Sequence, residues 1–232
     1  MTRPVTLFTG QWTDLTLEEV AKLASGWGYD GLEIACSGEH LDVWRAAEDD
    51  AYVQERLAIL EKYNLKLYAI SNHLKGQAVC DNPIDFRHKD IVGPKVWGDG
   101  EPEGVRTRAA EEMKVTAVAA RKLGVDTVVG FTGSSIWQYV AMFPPVSKEV
   151  IEAGYEDFAK RWNPIMDVFD SEGVKFALEV HPSEIAYDYY TTVKTLSTID
   201  NRKAFGLNWD PSHMHWQDID PVNFILDFAD RI

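Results

Sequence analysis

The sequence has little cysteine and little positive charge. Two cysteines in 232 residues are too few for a disulfide framework or a thiolate metal cage, so Cys36 and Cys80 are predicted to be free thiols in a reducing compartment. Lysine and arginine number 23 against 37 aspartates and glutamates, which gives a formal net charge of −14. Such a charge repels nucleic-acid phosphates and anionic membrane surfaces, so neither is expected as a partner.

Long apolar runs are also lacking. No run approaches the roughly 20 residues of a membrane-spanning helix, and the first residues do not begin the apolar core of a signal peptide. Together with the free thiols, these absences predict a soluble, cytoplasmic protein. Hydrophobic residues make up 45% of the chain, which is enough for one sizeable core in a single domain.

One unit recurs along the chain: an amphipathic helix ends at glycine or asparagine, and a short apolar strand follows. The strands predicted in this way are residues 5–9, 31–35, 65–71, 125–131, 174–180 and 204–209. The predicted helices are residues 16–28, 49–62, 102–124, 147–172, 191–198 and 221–229. Pro164 is expected to break or kink the fourth of these helices.

About six βα units in this order predict an α/β fold with a parallel sheet, closed as a TIM-type barrel or open and doubly wound. Apolar residues on both faces are typical of parallel strands buried between helices. The nucleotide-binding version of the open sheet is disfavoured, because no Gly-x-Gly-x-x-Gly follows the first strand.

Two long connections, residues 74–103 and 132–146, follow strands and show no clear period. Both are predicted to be loops at the C-terminal rim of a barrel. Long irregular loops in a compact domain are usually functional. A contact between subunits of an oligomer is the alternative, and it is compatible with a functional role.

The fifth predicted strand ends in a carboxylate and an imidazole. Side chains alternate along a strand, so Glu179 and His181 share one face while Phe176 and Leu178 point towards the helices. Pro182 stops the strand at this point. Glu179 and His181 are therefore expected to point inward at the C-terminal end, where barrel enzymes place their chemistry.

The sixth predicted strand repeats this design. Asn208 and Asp210 share a face at its C-terminal end, and His213 follows on the loop. Carboxylate and imidazole ligands suit Mn²⁺, Mg²⁺, Co²⁺ or Zn²⁺. Glu179 and Asp210 are predicted to bind one such ion, with Mn²⁺ the first choice. The alternative is that the two carboxylates form ordinary polar pairs at strand ends.

Catalytic roles are predicted for Glu179, His181 and His213, although His181 fits a structural hydrogen-bonding role equally well. Glu33, at the end of the second strand, and His73, after the third, are predicted to contact the substrate, as are His213 and Trp137. The tryptophans at or near strand ends and rim loops are Trp12, Trp97, Trp137, Trp209 and Trp216. Some of these are expected to stack against a sugar or an aromatic group, with core packing as the alternative.

Leu178-Glu-Val-His-Pro182 followed by Trp209-Asp-Pro-Ser-His213 resembles the xylose-isomerase-like TIM-barrel superfamily of sugar phosphate isomerases and epimerases. The likeness extends over essentially the whole chain, including residues 31–33 and 72–78. It implies a (β/α)8 barrel that holds one metal ion through a Glu, an Asp, a His and a second Glu from four successive strands. Glu179 matches the first Glu and Asp210 the Asp, while the residue matching His213 contacts substrate near the metal.

The chain departs from the family pattern at its end. It stops at residues 230–232, where the seventh strand is expected, so the ligands of the seventh and eighth strands have no counterpart. We expect residues 1–232 to be a single barrel domain that lacks the last two βα units, as a portion of a longer protein. Such a portion is expected to lack full metal affinity and activity.

The resemblance implies chemistry at the carbon next to a carbonyl group. A metal ion polarises a keto sugar or sugar phosphate, and a carboxylate or imidazole removes the α-proton to give an enediolate. Reprotonation makes the protein an isomerase or epimerase, which is the first expectation. Expulsion of a β-substituent makes it a lyase, as in the inosose dehydratases and in the larger subunits of C-glycoside deglycosidases, which cleave 3-oxo-glycosides.

Two other classes are considered. A metal-dependent abasic-site endonuclease shares the superfamily, but this chain is too acidic for DNA and its clusters of ligating residues are too small. A non-catalytic sugar-binding subunit is the third class. The expected partners are a small-molecule sugar or glycoside, further copies of the chain in a homo-oligomer, and a smaller partner subunit.

Overall fold

All strands described in the structure, a computed structural model of residues 3–232, belong to one parallel sheet. They are β1 (Thr6–Phe8), β2 (Gly31–Ala35), β3 (Lys66–Ser71), β4 (Thr127–Gly130), β5 (Lys175–Glu179) and β6 (Phe205–Asn208). Each lies within its predicted bounds. The strands pair in chain order from β1 to β6, which is the order of a barrel wall, whereas a doubly wound sheet reverses its order at a switch point.

The helices described within residues 3–232 lie between and after the strands. They are α1 (Leu17–Trp27), α2 (Val43–Glu48), α3 (Asp50–Lys62), α4 (His73–Gln77), α5 (Phe86–Trp97), α6 (Pro102–Leu123), α7 (Lys148–Glu172), α8 (Tyr189–Thr198), α9 (Pro211–His215) and α10 (Pro221–Phe228). The α/β alternation predicted from the sequence is therefore confirmed. In this part of the chain, no helix is long and apolar enough to cross a membrane.

The prediction of an irregular connection over residues 74–103 was wrong, because this segment contains most of α4 and all of α5. Asp85 begins α5 by accepting a hydrogen bond from the backbone N–H of Arg87 at 3.0 Å. Gly93 and Pro94 then interrupt the helical pattern, and Gly93 has a left-handed φ of 75°. Because these two helix-breaking residues fall within the twelve residues of α5, the sequence shows no clear helical period there.

Of the break or kink predicted at Pro164, the break is not observed, since α7 continues through the proline over residues 148–172. Trp162, Ile165 and Met166 surround the proline and are completely buried. Each such side chain contributes about 1.5–3 kcal/mol on burial. Their sum exceeds the roughly 3 kcal/mol that a proline costs inside a helix.

The two faces of β5 are as predicted. Phe176 and Leu178 are completely buried, and the Phe176 ring packs on Trp162 of α7 with 4.6 Å between ring centroids. Glu179 points to the other face, so packing of the apolar side chains against the helices fixes the direction of the carboxylate. Cys36 and Cys80 are buried and unpaired, as predicted for free thiols.

Candidate active site

The ends of β5 and β6 bring the predicted acidic residues to one place. The strand register sets Glu179 beside Asn208. Asp210 then caps α9, and its Oδ1 accepts a hydrogen bond from the backbone N–H of Ser212 at 2.7 Å. Helix α9 turns His213 back over the strand ends, where its Nε2 lies 3.1 Å from Glu179 Oε1 and 3.5 Å from Asp210 Oδ2.

Glu179, Asp210 and His213, which we call the triad, fit a divalent metal ion. One ligand atom from each residue lies within 4.8 Å of the other two. Ligands bonded to one cation at about 2.1 Å are at most about 4.2 Å apart, so small side-chain rotations suffice. Two carboxylate oxygens and an imidazole nitrogen form a donor set for Mn²⁺, Co²⁺ or Zn²⁺. His213 was predicted to contact substrate, and its imidazole also lies close enough to both carboxylates to bind the same ion.

The carboxylates of the triad are held in the ionised form. Burial raises the pKa of Glu179, but a hydrogen bond to His73 and the charges of His73 and His213 outweigh it, so the net shift is downward. The bond joins His73 Nε2 to Glu179 Oε2 at 3.2 Å. Burial likewise raises the pKa of Asp210, and the hydrogen bonds from Ser212 with the charge of His213 bring it below its ordinary value. Ionised carboxylates are the form that binds a cation.

His181 lies over the triad. Its ring centroid is 4.1 Å from that of His213 and 4.9 Å from that of Phe131. Burial and the charge of His213 lower the pKa of His181, so the imidazole is neutral near pH 7. Its Nδ1 is hydrogen-bonded to the Pro182 carbonyl oxygen. A neutral ring that donates through Nδ1 presents Nε2 as a proton acceptor.

A cavity of about 520 Å³, which we call the inner cavity, opens beside the triad. This volume is within the range of about 300–1,000 Å³ that is usual for small-molecule sites. Its polar lining comes mainly from strand ends and from the first turn of α4, and includes Glu33, Ser71, Asn72, His73, Lys75, Glu179, Asn208 and Asp210. The structure thus brings Glu33 and His73 together with two members of the triad.

Glu33 contributes a second kind of carboxyl group to this cavity. Burial raises the pKa of Glu33 and the charge of Glu179 adds to that effect, while the hydrogen bond from Ser71 and the charge of His73 oppose it. The net shift is upward, opposite to the shift of Glu179. Two carboxyl groups with pKa values pushed in opposite directions can divide ion binding and proton transfer between them.

Lys75 is a polar residue of the inner cavity that the sequence analysis did not single out. It is 9% exposed, and its Nζ donates to the carbonyl oxygen of Cys36 at 3.3 Å. An ammonium group has three donors, so Lys75 retains donors for a ligand. Its position two residues after His73 was a clue, but only the turn of α4 brings the side chain to the cavity.

Trp137 lies outside the inner cavity. It begins a short 3-10 turn, Trp137–Tyr139, and packs edge-on against Tyr187 with 5.3 Å between ring centroids. None of the five rim tryptophans lines the inner cavity among the residues described. The substrate contact of Trp137 therefore stays a prediction, and it concerns a neighbouring space on the rim.

A family model described as xylose isomerase-like TIM barrel matches residues 21–232. The chain belongs to the xylose isomerase-like TIM barrel family. The match includes β5, β6 and all three members of the triad. The family and the barrel fold predicted from the motifs around Glu179 and Asp210 are therefore confirmed.

A curated relative is the YfiH protein of Bacillus subtilis (strain 168), itself described as uncharacterized. It is 25% identical to this xylose isomerase-like chain over 224 residues. The alignment covers 90% of the chain and 64% of YfiH. The chain thus spans less than two thirds of the length of this relative.

Solved structures with the same fold include sugar enzymes. The 3-keto-D-glucoside 4-epimerase YcjR of E. coli superposes with a TM-score of 0.69 at 12% identity, over 100% of this chain and 77% of YcjR. The probable 3-DHS dehydratase AsbF of Bacillus anthracis superposes with a TM-score of 0.67 at 16% identity, over 99% of this chain and 71% of AsbF. The IOLI protein, solved with a bound zinc atom, superposes with a TM-score of 0.63 at 18% identity, over 99% of this chain and 70% of IOLI. At these identities the similarity demonstrates the barrel fold.

Proposed function

We propose that the protein is a metal-dependent isomerase or epimerase that acts on a keto sugar or sugar phosphate. The observation that carries the proposal is the triad, in which two ionised carboxylates and an imidazole converge beside a cavity of sugar size. The IOLI protein, which has the same fold and was solved with a bound zinc atom, supports a divalent ion as the cofactor, and Mn²⁺ stays our first choice. Cytoplasmic location, assembly into a homo-oligomer and a smaller partner subunit belong to the same proposal.

The triad holds the reacting end of the sugar. Glu179, Asp210 and His213 would hold the ion, and His73 and Asn208 orient the Glu179 carboxylate by hydrogen bonds of 3.2 and 3.4 Å to Oε2. When bound, a divalent ion would supply Lewis-acid chemistry at the sugar carbonyl. These side chains thereby fix the position and the charge of the carbonyl group.

Proton transfer falls to two other groups of the site. The carboxyl of Glu33 has a raised pKa, and the neutral imidazole of His181 presents Nε2 as an acceptor. Removal of the α-proton by one group and its return by the other, on another face or carbon, gives epimerisation or isomerisation. The nearly buried ammonium of Lys75 donates hydrogen bonds to sugar oxygens beside Glu33.

A lyase is the second candidate function, because the same proton abstraction leads to elimination when a β-substituent can leave. Its support is the similarity in fold to the probable 3-DHS dehydratase AsbF. Incubation of the intact protein with 3-oxo-glucosides and with free ketoses separates the two functions. An epimerase returns an isomer of equal mass, whereas a lyase releases the substituent as a separate product.

Elemental analysis of the intact protein after exposure to Mn²⁺ or Zn²⁺ and removal of free ion tests the proposal. We expect about one ion per chain, and about a hundredfold weaker binding in Glu179→Gln and in Asp210→Asn, since each loses a charged ligand. Asp218→Asn is the matched control, because Asp218 is an exposed carboxylate outside the triad. Unchanged metal content in both triad variants would remove the proposed site.

A further inference from the structure

A second cavity lies on the same rim as the inner cavity. Its volume is about 410 Å³, which is also within the usual range of about 300–1,000 Å³ for small-molecule sites. Its lining includes Gln77, Asp81, Arg87, His88, Ser134, Trp137 and Ser183. We call this space the outer cavity, and it shares no lining residue with the inner cavity.

The two cavities are adjacent. Helix α4 begins at the inner cavity and ends at the outer one. The loop after β4 passes from Phe131, which lines the inner cavity, to Ser134, which lines the outer. After β5, the His181 ring contacts Phe131 with 4.9 Å between centroids, and Ser183 lies two residues further on in the outer cavity. Three chain segments therefore lead from the inner cavity to the outer one, past the rings of Phe131 and His181.

Trp137 presents a fixed aromatic ring to the outer cavity. It is half-buried, and the edge-on contact with Tyr187 holds its orientation. The indole N–H groups of Trp44, Trp162 and Trp209 all donate to acceptors of the protein. For Trp137, as for the other four tryptophans, residues 3–232 supply no such acceptor. An apolar ring face with a free donor at its edge suits a ring that carries hydroxyl groups.

The charges around the outer cavity cancel in pairs. Asp81 Oδ2 lies 3.1 Å from His88 Nε2, and the hydrogen bond to Asp81 raises the pKa of His88, which favours the imidazolium form. The other oxygen of Asp81 accepts two hydrogen bonds from the protein. Arg87 is paired with Asp85 at 2.7 Å. The Asp81 carboxylate and the Arg87 guanidinium are thus both engaged within the protein, and an uncharged ligand suits the cavity.

We infer that the outer cavity binds a neutral ring that is joined to the reacting sugar by a glycosidic bond. This inference rests on the proposed function, because the reacting sugar itself lies over the triad. The face of Trp137 packs on the bound ring, and the indole N–H, Ser183 and Gln77 supply polar contacts at its edge. The substrate is then a glycoside, and the attached group is a phenyl-type ring or a second sugar ring.

Isothermal titration calorimetry on the intact protein tests this inference with methyl β-D-glucoside, phenyl β-D-glucoside and methyl β-cellobioside. We expect phenyl β-D-glucoside or methyl β-cellobioside to bind about tenfold more tightly than methyl β-D-glucoside, and the tighter of the two identifies the ring. Trp137→Ala removes the preference, and Trp137→Phe keeps most of it. Trp27→Ala is the matched control, because Trp27 is 53% exposed and lines neither cavity.

Equal affinities for the three glycosides, no binding by any of them, or a preference that survives in Trp137→Ala overturns the inference. The proposed function fails separately. If the ring preference depends on Trp137 but no metal-dependent turnover of the 3-oxo derivatives occurs, ring binding in the outer cavity is supported and the proposed reaction is overturned. If turnover of methyl 3-oxo-glucoside depends on metal but no ring preference exists, the proposed reaction is supported and ring binding in the outer cavity is overturned.

Discussion

The inner and outer cavities lie on the same rim and are built in different ways. The inner cavity takes its acidic residues from β2, from the end of β5 and from the N-cap of α9 just after β6. Glu33 lies in the middle of β2, not at its end as predicted, and the sheet register fixes the positions of Glu33 and Glu179. The outer cavity is formed by α4, α5 and the loops after β4 and β5. A rigid strand end can hold a metal ligand, whereas packed loops can change between relatives and select the substrate.

The loop after β4 provides the sharpest stability test of this difference. Gly133 has a φ of 68°, and a Cβ atom there meets the carbonyl oxygen of Gln77 at 2.0 Å. Gly124 has a similar φ of 77° with nothing within 4 Å of such an atom. We expect Gly124→Ala to lower the free energy of unfolding by about 1 kcal/mol and Gly133→Ala by about 3 kcal/mol.

Urea unfolding of the two alanine variants checks this expectation. The strain of a positive φ is common to both variants. The difference between their losses in free energy of unfolding therefore measures the effect of the close approach of the β4 loop to α4. Equal losses in the two variants would show that this loop is not packed tightly against α4.

Glu184 makes the stability of the same loop dependent on pH. Its Oε2 accepts hydrogen bonds from the backbone N–H groups of Thr132 at 2.6 Å and of Gly133 at 2.7 Å. Burial, followed by the charge of Asp81, raises the pKa of Glu184 from 4.5 to about 8. The folded state therefore binds a proton that the unfolded state has lost between these two pKa values.

The stability from this proton is fully present below pH 4.5 and is lost as the pH rises through about 8. We expect the free energy of unfolding to fall by about 2 kcal/mol between pH 5 and pH 7 on account of Glu184. Glu184→Gln is expected to remove this fall in the free energy of unfolding with pH. Glu156→Gln, a control at an exposed position, is expected to leave the fall unchanged. Parallel pH profiles for the unaltered protein and Glu184→Gln would contradict the role of the buried carboxyl group.

The smallest expected effect concerns the support of the triad. Asn208 Nδ2 lies 3.4 Å from Glu179 Oε2, so Asn208→Ala removes one of the three side-chain contacts that orient this carboxylate. We expect about tenfold weaker metal binding, measured by calorimetric titration with Mn²⁺. Asn223→Ala on α10 is the control, and the two variants would bind equally if Asn208 had no part in orienting Glu179.

The sequence predicted the inner cavity better than the outer one for a physical reason. Side chains alternate along a strand, so Glu179 and Asp210 could be assigned to one end and one face from short apolar runs alone. All six strands lie within their predicted bounds, since each run is apolar and ends at glycine, proline or asparagine nearby. Periodicity over a few residues was sufficient for this part of the molecule.

The outer cavity depends on contacts between residues that are distant in the sequence. Helix α5 was missed because Gly93 and Pro94 interrupt its pattern. Trp137 was found from its residue type, but its contact with Tyr187, fifty positions later, could not be predicted. Lys75 was missed because α4 is too short to show a period. Tertiary packing determines the positions of these residues, and the local sequence contains little information about that packing.

The central claim is that Glu179, Asp210 and His213 bind one divalent ion. Crystals of the intact protein grown with saturating Mn²⁺ and measured near the manganese absorption edge test it directly. The account predicts one strong anomalous peak within about 2.3 Å of a side-chain atom of each of the three residues. A peak bonded elsewhere, or no peak at this position, would contradict it.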